Sequence, residues 1–114
     1  MPPVSPRERP TTIARGNDLD IVIDGATVRG VLDDTLTLRG YLAWEEADAV
    51  AIDPSLESAA VAQGGNSGDY IAPILGSDID QLDAGDVVWI VAESVPPGAY
   101  RDAFPVTVVE RQSA

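Results

Sequence analysis

Leu36, Leu38, Leu42 and Trp44 all fall at even positions, with Thr35, Thr37, Arg39 and Tyr41 between them at odd ones. Successive side chains of an extended chain point to opposite faces, so this alternation predicts a strand over 35–44 with the leucines and Trp44 turned inward. The same period of two runs through Leu19, Ile21 and Ile23, and returns in Phe104, Val106 and Val108 near the other end of the chain. A sequence alternating from residue 19 to residue 108 is committed to sheet, because a helical stripe would need apolar residues three and four apart.

Between these strands the punctuation is that of turns. Asp24-Gly25 supplies residues suited to a type I′ hairpin turn, which predicts that the strand from Leu19 pairs with a returning segment at 26–32 carrying Ala26, Val28 and Leu32 on one face. Gly40 interrupts the inner face of the 35–44 strand, a place where a bulge or a close neighbouring backbone is expected. Pro97-Gly98 fits the centre of a type II turn. The segment 64–68, Gly-Gly-Asn-Ser-Gly, reads as a hairpin tip. Residues 69–75 read as a strand and 76–85 as an acidic connection. The strand at 86–93 is apolar on both faces, Val87, Trp89 and Val91 against Val88, Ile90 and Ala92, so it belongs in the middle of a sandwich or has one face covered by another subunit. The stretch 45–63 is open to two readings. Asp53-Pro54 would start a short helix over 54–62, whereas Val50/Ile52 and Ala59/Val61 suit two short strands with a turn at Asp53-Pro54-Ser55. The strands are preferred.

The spacing of these signals predicts an all-β domain, a two-sheet β-sandwich of about seven strands. One domain is expected from 114 residues, of which 45% are apolar, an ordinary globular share that separates this chain from disordered acidic sequences. Its expected limits are an extended Pro-rich N-terminal arm over 1–12, the sandwich over 13–110 and a short tail over 111–114. Pro2, Pro3, Pro6 and Pro10 favour extended chain in the arm. The arm carries no apolar stretch of a targeting signal, and no apolar run in the chain is long enough to span a bilayer.

Chemistry is constrained by what is missing. The chain holds neither cysteine nor histidine, which removes thiolate nucleophiles, cysteine-ligated metals, the commonest general base and the histidine-dependent triads. No catalytic, cofactor-binding or metal-binding residue is assigned, and no enzyme activity or cofactor is expected. The net charge of −12, with arginine as the only basic side chain, repels phosphate backbones and anionic lipid, so neither nucleic acid nor membrane is an expected partner. Four carboxylates at Asp78, Asp80, Asp83 and Asp86 could supply oxygens to a hard cation, but lack the glycine and glutamate placement of an EF-hand loop and read as a solvated turn. Glu45, Glu46 and Asp48 beside Trp44 could be paired as glycosidase acids, although Trp44 reads as core. The glycine loop at 64–68 has no lysine or following helix to cradle phosphate. Arg29 and Arg39 are placed on strands, within reach of Asp20 or Asp24 or of a partner's carboxylates.

The order Thr12-Ile13-Ala14-Arg15-Gly16-Asn17-Asp18-Leu19, then Leu36-Thr37-Leu38-Arg39-Gly40-Tyr41-Leu42, Gly68-Asp69-Tyr70, the run Asp80-Gln81-Leu82-Asp83-Ala84-Gly85-Asp86-Val87-Val88-Trp89 and Phe104-Pro105-Val106-Thr107-Val108 resembles the immunoglobulin-like domains of tailed-phage structural proteins. The N-terminal domain of baseplate upper proteins is one such domain. The likeness spans 13–110; the segments 25–35 and 45–63 depart from it. It implies an immunoglobulin-like sandwich and a virion protein: head decoration, neck, tail or baseplate. Such a protein is made in the host cytoplasm and acts on other virion proteins and on further copies of itself. The rival expectation from the charge is an acidic DNA mimic that inhibits a DNA-binding host enzyme.

Overall fold

The computed structural model describes residues 10–65 and 67–110. Residues 1–9 of the expected arm over 1–12, and the expected tail over 111–114, lie outside the described residues. Ten strand segments are formed: β1 (Thr12–Ala14), β2 (Leu19–Ile23), β3 (Thr27–Val28), β4 (Val31–Leu32), β5 (Leu38–Ala43), β6 (Glu57–Ala59), β7 (Val61–Ala62), β8 (Tyr70–Ile74), β9 (Val87–Ser94) and β10 (Arg101–Val109). A 3-10 turn at Pro54–Leu56 and a single α-helical turn, α1 (Gly76–Ile79), complete the described elements. The all-β expectation holds, with several of the ten segments only two or three residues long against the seven strands expected. Thr12 opens β1.

Two sheets pack face to face. The larger has the order β1-β10-β9-β5-β6 and the smaller β2-β8-β7, with β3-β4 as a separate hairpin. Among the described residues only β1 runs parallel to its neighbour; the other pairs are antiparallel. The core fills the gap between the sheets: Ile13, Leu42, Val88, Ile90, Val106 and Val108 of the larger meet Ile21, Ala72 and Ile74 of the smaller. These are inner-face members of the alternation, and each large side chain removed from water contributes about 1.5–3 kcal/mol. Leu56 of the 3-10 turn, Ile79 of α1 and Leu82 just beyond it are buried in the same cluster. The acidic connection at 76–85 is therefore more than a solvated link.

Gly40 is buried with no bulge in its strand, whose register is unbroken on both sides. A Cβ there would stand 2.7 Å from the Ala72 Cβ and 3.0 Å from the Ile21 Cδ1 of the opposite sheet. In place of the expected bulge or neighbouring backbone, side chains of the facing layer fill the space that the missing side chain leaves.

Three local expectations are corrected. The I′ turn is not at Asp24-Gly25: β2 pairs with β8, far away in sequence, and the tight turn joins β3 to β4 through Arg29 and Gly30, both at positive φ (55° and 80°). Gly25 is instead tied by its N–H to the Asp69 carboxylate at 2.8 Å, a tertiary contact that local turn chemistry cannot foresee. In 45–63 the strand expected around Val50/Ile52 does not form. Asp53 caps the 3-10 turn, accepting from the Ser55 N–H at 3.0 Å, and the chain then runs extended through β6 and β7. That extended run changes sheets at Ala60, because β6 pairs with β5 while β7 pairs with β8. Finally, Tyr41 faces away from Leu42 as the alternation expects, yet it is fully buried, while Trp44, expected in the core, is 48% exposed. The strand ends at Ala43, and the following loop folds back over the outer side of the sheet. The expected hairpin tip at 64–68 does join β7 to β8.

Candidate interaction surface

The outer face of the larger sheet is built in cross-strand rows. Arg39, Glu93 and Arg101 are direct register partners on β5, β9 and β10. Opposite charges placed side by side in this way attract across the ladder. Arg39 Nη2 lies 2.9 Å from Glu93 Oε1 and Arg101 Nε 3.3 Å from Glu93 Oε2, while Arg39 Nη1 reaches Glu57 Oε1 on β6 at 2.9 Å. The Glu93 side chain retains only 7% exposure. A carboxylate so enclosed must be neutralised to be tolerated, and two guanidiniums do so.

The guanidiniums have donors left over, and these turn to the loop at 44–52. Arg39 Nη2 donates to the Ala49 carbonyl, and Arg101 Nη2 to the carbonyls of Glu46 and Asp48. Tyr41, in the next row, donates its hydroxyl to the Asp48 carbonyl at 2.7 Å. The Arg39 guanidinium stacks 4.4 Å from the centre of the Tyr41 ring, a cation–π contact. Burial pushes the Tyr41 phenol above the usual tyrosine range, so it stays a donor. The result is a clamp that grips the loop through its main chain and seals an apolar ledge of Tyr41, Ala43 and Val91 beneath it, with Ala51 and Trp89 at its margin.

Beyond the loop the same face is open. Val87 is 55% exposed, Trp89 is half-buried, and Pro105, paired with Trp89 across the ladder, is exposed. The strand read as apolar on both faces is the middle strand of five, with one face in the core and the other divided between the clamp and solvent. Along the margin of this sheet β1 pairs only with residues 107–109 of β10; no strand lies beside 101–105 among the described residues. In the smaller sheet β2 is a terminal strand.

The candidates named from sequence disperse. Asp78, Asp80, Asp83 and Asp86 lie in and after α1. Asp86 accepts from the Asp83 N–H at 3.0 Å and the Asp80 carbonyl accepts from Arg15; no cluster of three acidic side chains able to hold a metal ion occurs among the described residues. Glu45, Glu46 and Asp48 sit in the clamped loop. Gly64 and Gly65 lie at positive φ in the hairpin tip. Arg29 occupies a turn, not a strand face, and Arg39 pairs with Glu57 and Glu93, not with Asp20 or Asp24. Glu93, Arg101 and Tyr41 were not singled out from sequence. The available signal was the parity of Glu93, two residues beyond Val91 on a strand that buries both faces.

Much of the acidity is structural. The carboxylates of Asp18, Asp33, Asp34, Asp48, Asp53, Asp69 and Asp86 each accept from a backbone N–H in a turn or connection, the role for which aspartate is suited. The Asp33 and Asp53 carboxyls are held below the usual range by bonds from Thr35 and Ser55. No helix among the described residues is long and apolar enough to cross a membrane. Comparison with family models, curated proteins and solved structures finds no match.

Proposed function

We propose that this chain is a non-enzymatic structural module of a tailed-phage virion, an immunoglobulin-like sandwich that works by assembly contacts with capsid, neck or tail proteins and with further copies of itself. Strand order supports the fold half of this reading. In the lettering of such sandwiches β2, β8 and β7 take the places of B, E and D, while β5, β6, β9 and β10 take those of C, C′, F and G. The observation that carries the functional half is the outer face of β9, where Val87 and Trp89 continue an apolar surface past the edge of the loop that covers the rest. Apolar ground of this kind on a middle strand suits a partner laid across it.

The DNA-mimic reading draws less support, since seven aspartates are spent on N–H groups of turns and connections. Solution mass by light scattering, together with mass spectrometry of purified particles, tests the proposal. Self-association or presence in particles is expected; a strictly monomeric protein absent from virions would sink it.

A further inference from the structure

We infer that the loop at 44–52 is a recognition element for a basic, partly apolar segment of a partner protein. The inference rests on the assembly role proposed above and names the chemistry of one partner. Its first support is how the loop is held. Arg39, Tyr41 and Arg101 grip it through the carbonyls of Ala49, Asp48 and Glu46, and the Ile52 N–H closes its neck on the Leu42 carbonyl at 2.9 Å. A loop fixed by main-chain bonds is set in shape while its side chains stay available.

The second support is what those side chains are. Trp44 and Val50 stand two residues inside the neck on the two limbs, 48% and 70% exposed, neither of them used by the core. Glu45 and Glu46 follow Trp44 and are exposed. Their carboxylates enter no ion pair or hydrogen bond among the described residues, in contrast to the aspartates that fasten turns. An exposed indole beside two uncommitted carboxylates offers a cation both a ring face and charge. The net charge of −12 draws a basic partner from a distance and repels an acidic one.

The test uses the full chain and a labelled peptide, N-acetyl-Arg-Leu-Arg-Leu-Arg-Leu, with its Glu-Leu counterpart as the acidic probe, followed by fluorescence anisotropy at low and at physiological ionic strength. Binding of the basic peptide alone is expected. The pairs Trp44→Ala with Val50→Ser, and Glu45→Gln with Glu46→Gln, should each weaken it by about ten-fold. Asp80→Asn with Asp83→Asn removes the same charge elsewhere on the surface and should change binding by less than about two-fold, because distant exposed charges are screened. Circular dichroism and melting temperature should be unchanged in all three, as none of these side chains holds the fold. Equal weakening by the control pair, or none by the loop pairs, overturns the inference. So does quenching of Trp44, read in a Trp89→Phe background, by a cello- or chito-oligosaccharide in the absence of any peptide response, which would make the ligand a glycan. Loop-dependent peptide binding by a protein absent from virions would uphold the surface while removing its virion setting. Loop-independent binding by a protein found in virions removes the surface alone.

Discussion

The two faces of β9 solve the same problem in different ways. The inner face, Val88 and Ile90, is closed by another sheet and needs only apolar volume of the right shape. The outer face, Val91 and Glu93, is closed by a loop, and a loop brings backbone carbonyls that must find donors. Arg39, Arg101 and Tyr41 supply them. Burial between sheets is therefore specified by pattern, whereas burial under a loop is specified by a few polar side chains in register, and the two should respond differently to substitution.

The largest effect is expected in the gap between the sheets. Leu42→Ala should cost about 2–5 kcal/mol, the range for emptying a fully buried leucine site, read from urea denaturation, with amide exchange in the 44–52 loop rising only as global stability falls. Gly40→Ala probes the spacing of the same gap from the other direction. The added methyl meets Ala72 and Ile21, and the overpacking should cost about 1–3 kcal/mol. Adding Ala72→Gly to Gly40→Ala should recover part of that loss. Full tolerance of Gly40→Ala alone would mean that the sheets are not held at this separation.

On the outer face, Glu93→Gln removes the charge that two arginines share. Breaking a buried pair costs about 3–5 kcal/mol, but Arg39 and Arg101 keep partial access to water, which lowers the expectation to about 2 kcal/mol. Its distinguishing mark is local: hydrogen exchange should quicken at 45–51 before it does in β8 or β10. A uniform increase would show the clamp to be ordinary packing.

The smallest effect compares one tyrosine from each region. Burial pushes the phenols of Tyr41, under the loop, and Tyr70, between the sheets, above their ordinary value. In the unfolded chain they ionise first, near pH ~10, so the native state holds more protons and stability falls as pH rises from there through the folded-state values. The contribution is complete below that range. Tyr41→Phe and Tyr70→Phe should each flatten part of the alkaline fall in melting temperature. Tyr70→Phe should also lower stability at neutral pH, since its hydroxyl donates to the Asp33 carbonyl at 2.6 Å and accepts from the Leu36 N–H at 3.0 Å.

Period-two patterning settled the all-β class and the inner faces of β2, β5 and β10, because side-chain parity is a local property of extended chain, and the glycines of 64–68 marked the tip between β7 and β8. Missing histidine and cysteine settled which chemistries were out of reach in the same direct way. Strand partners were not legible. Asp24-Gly25 has every local feature of a hairpin turn, yet β2 pairs with β8, since the Asp69 carboxylate and the facing sheet outweigh a turn preference. The burial of Tyr41 and the exposure of Trp44 were likewise decided by the return of the 44–52 loop. The clamp needs Arg39, Glu93 and Arg101 in one row, and that row exists only after three distant segments have paired. Sequence alone fixes which way each side chain points along its strand; only the tertiary structure decides what stands opposite.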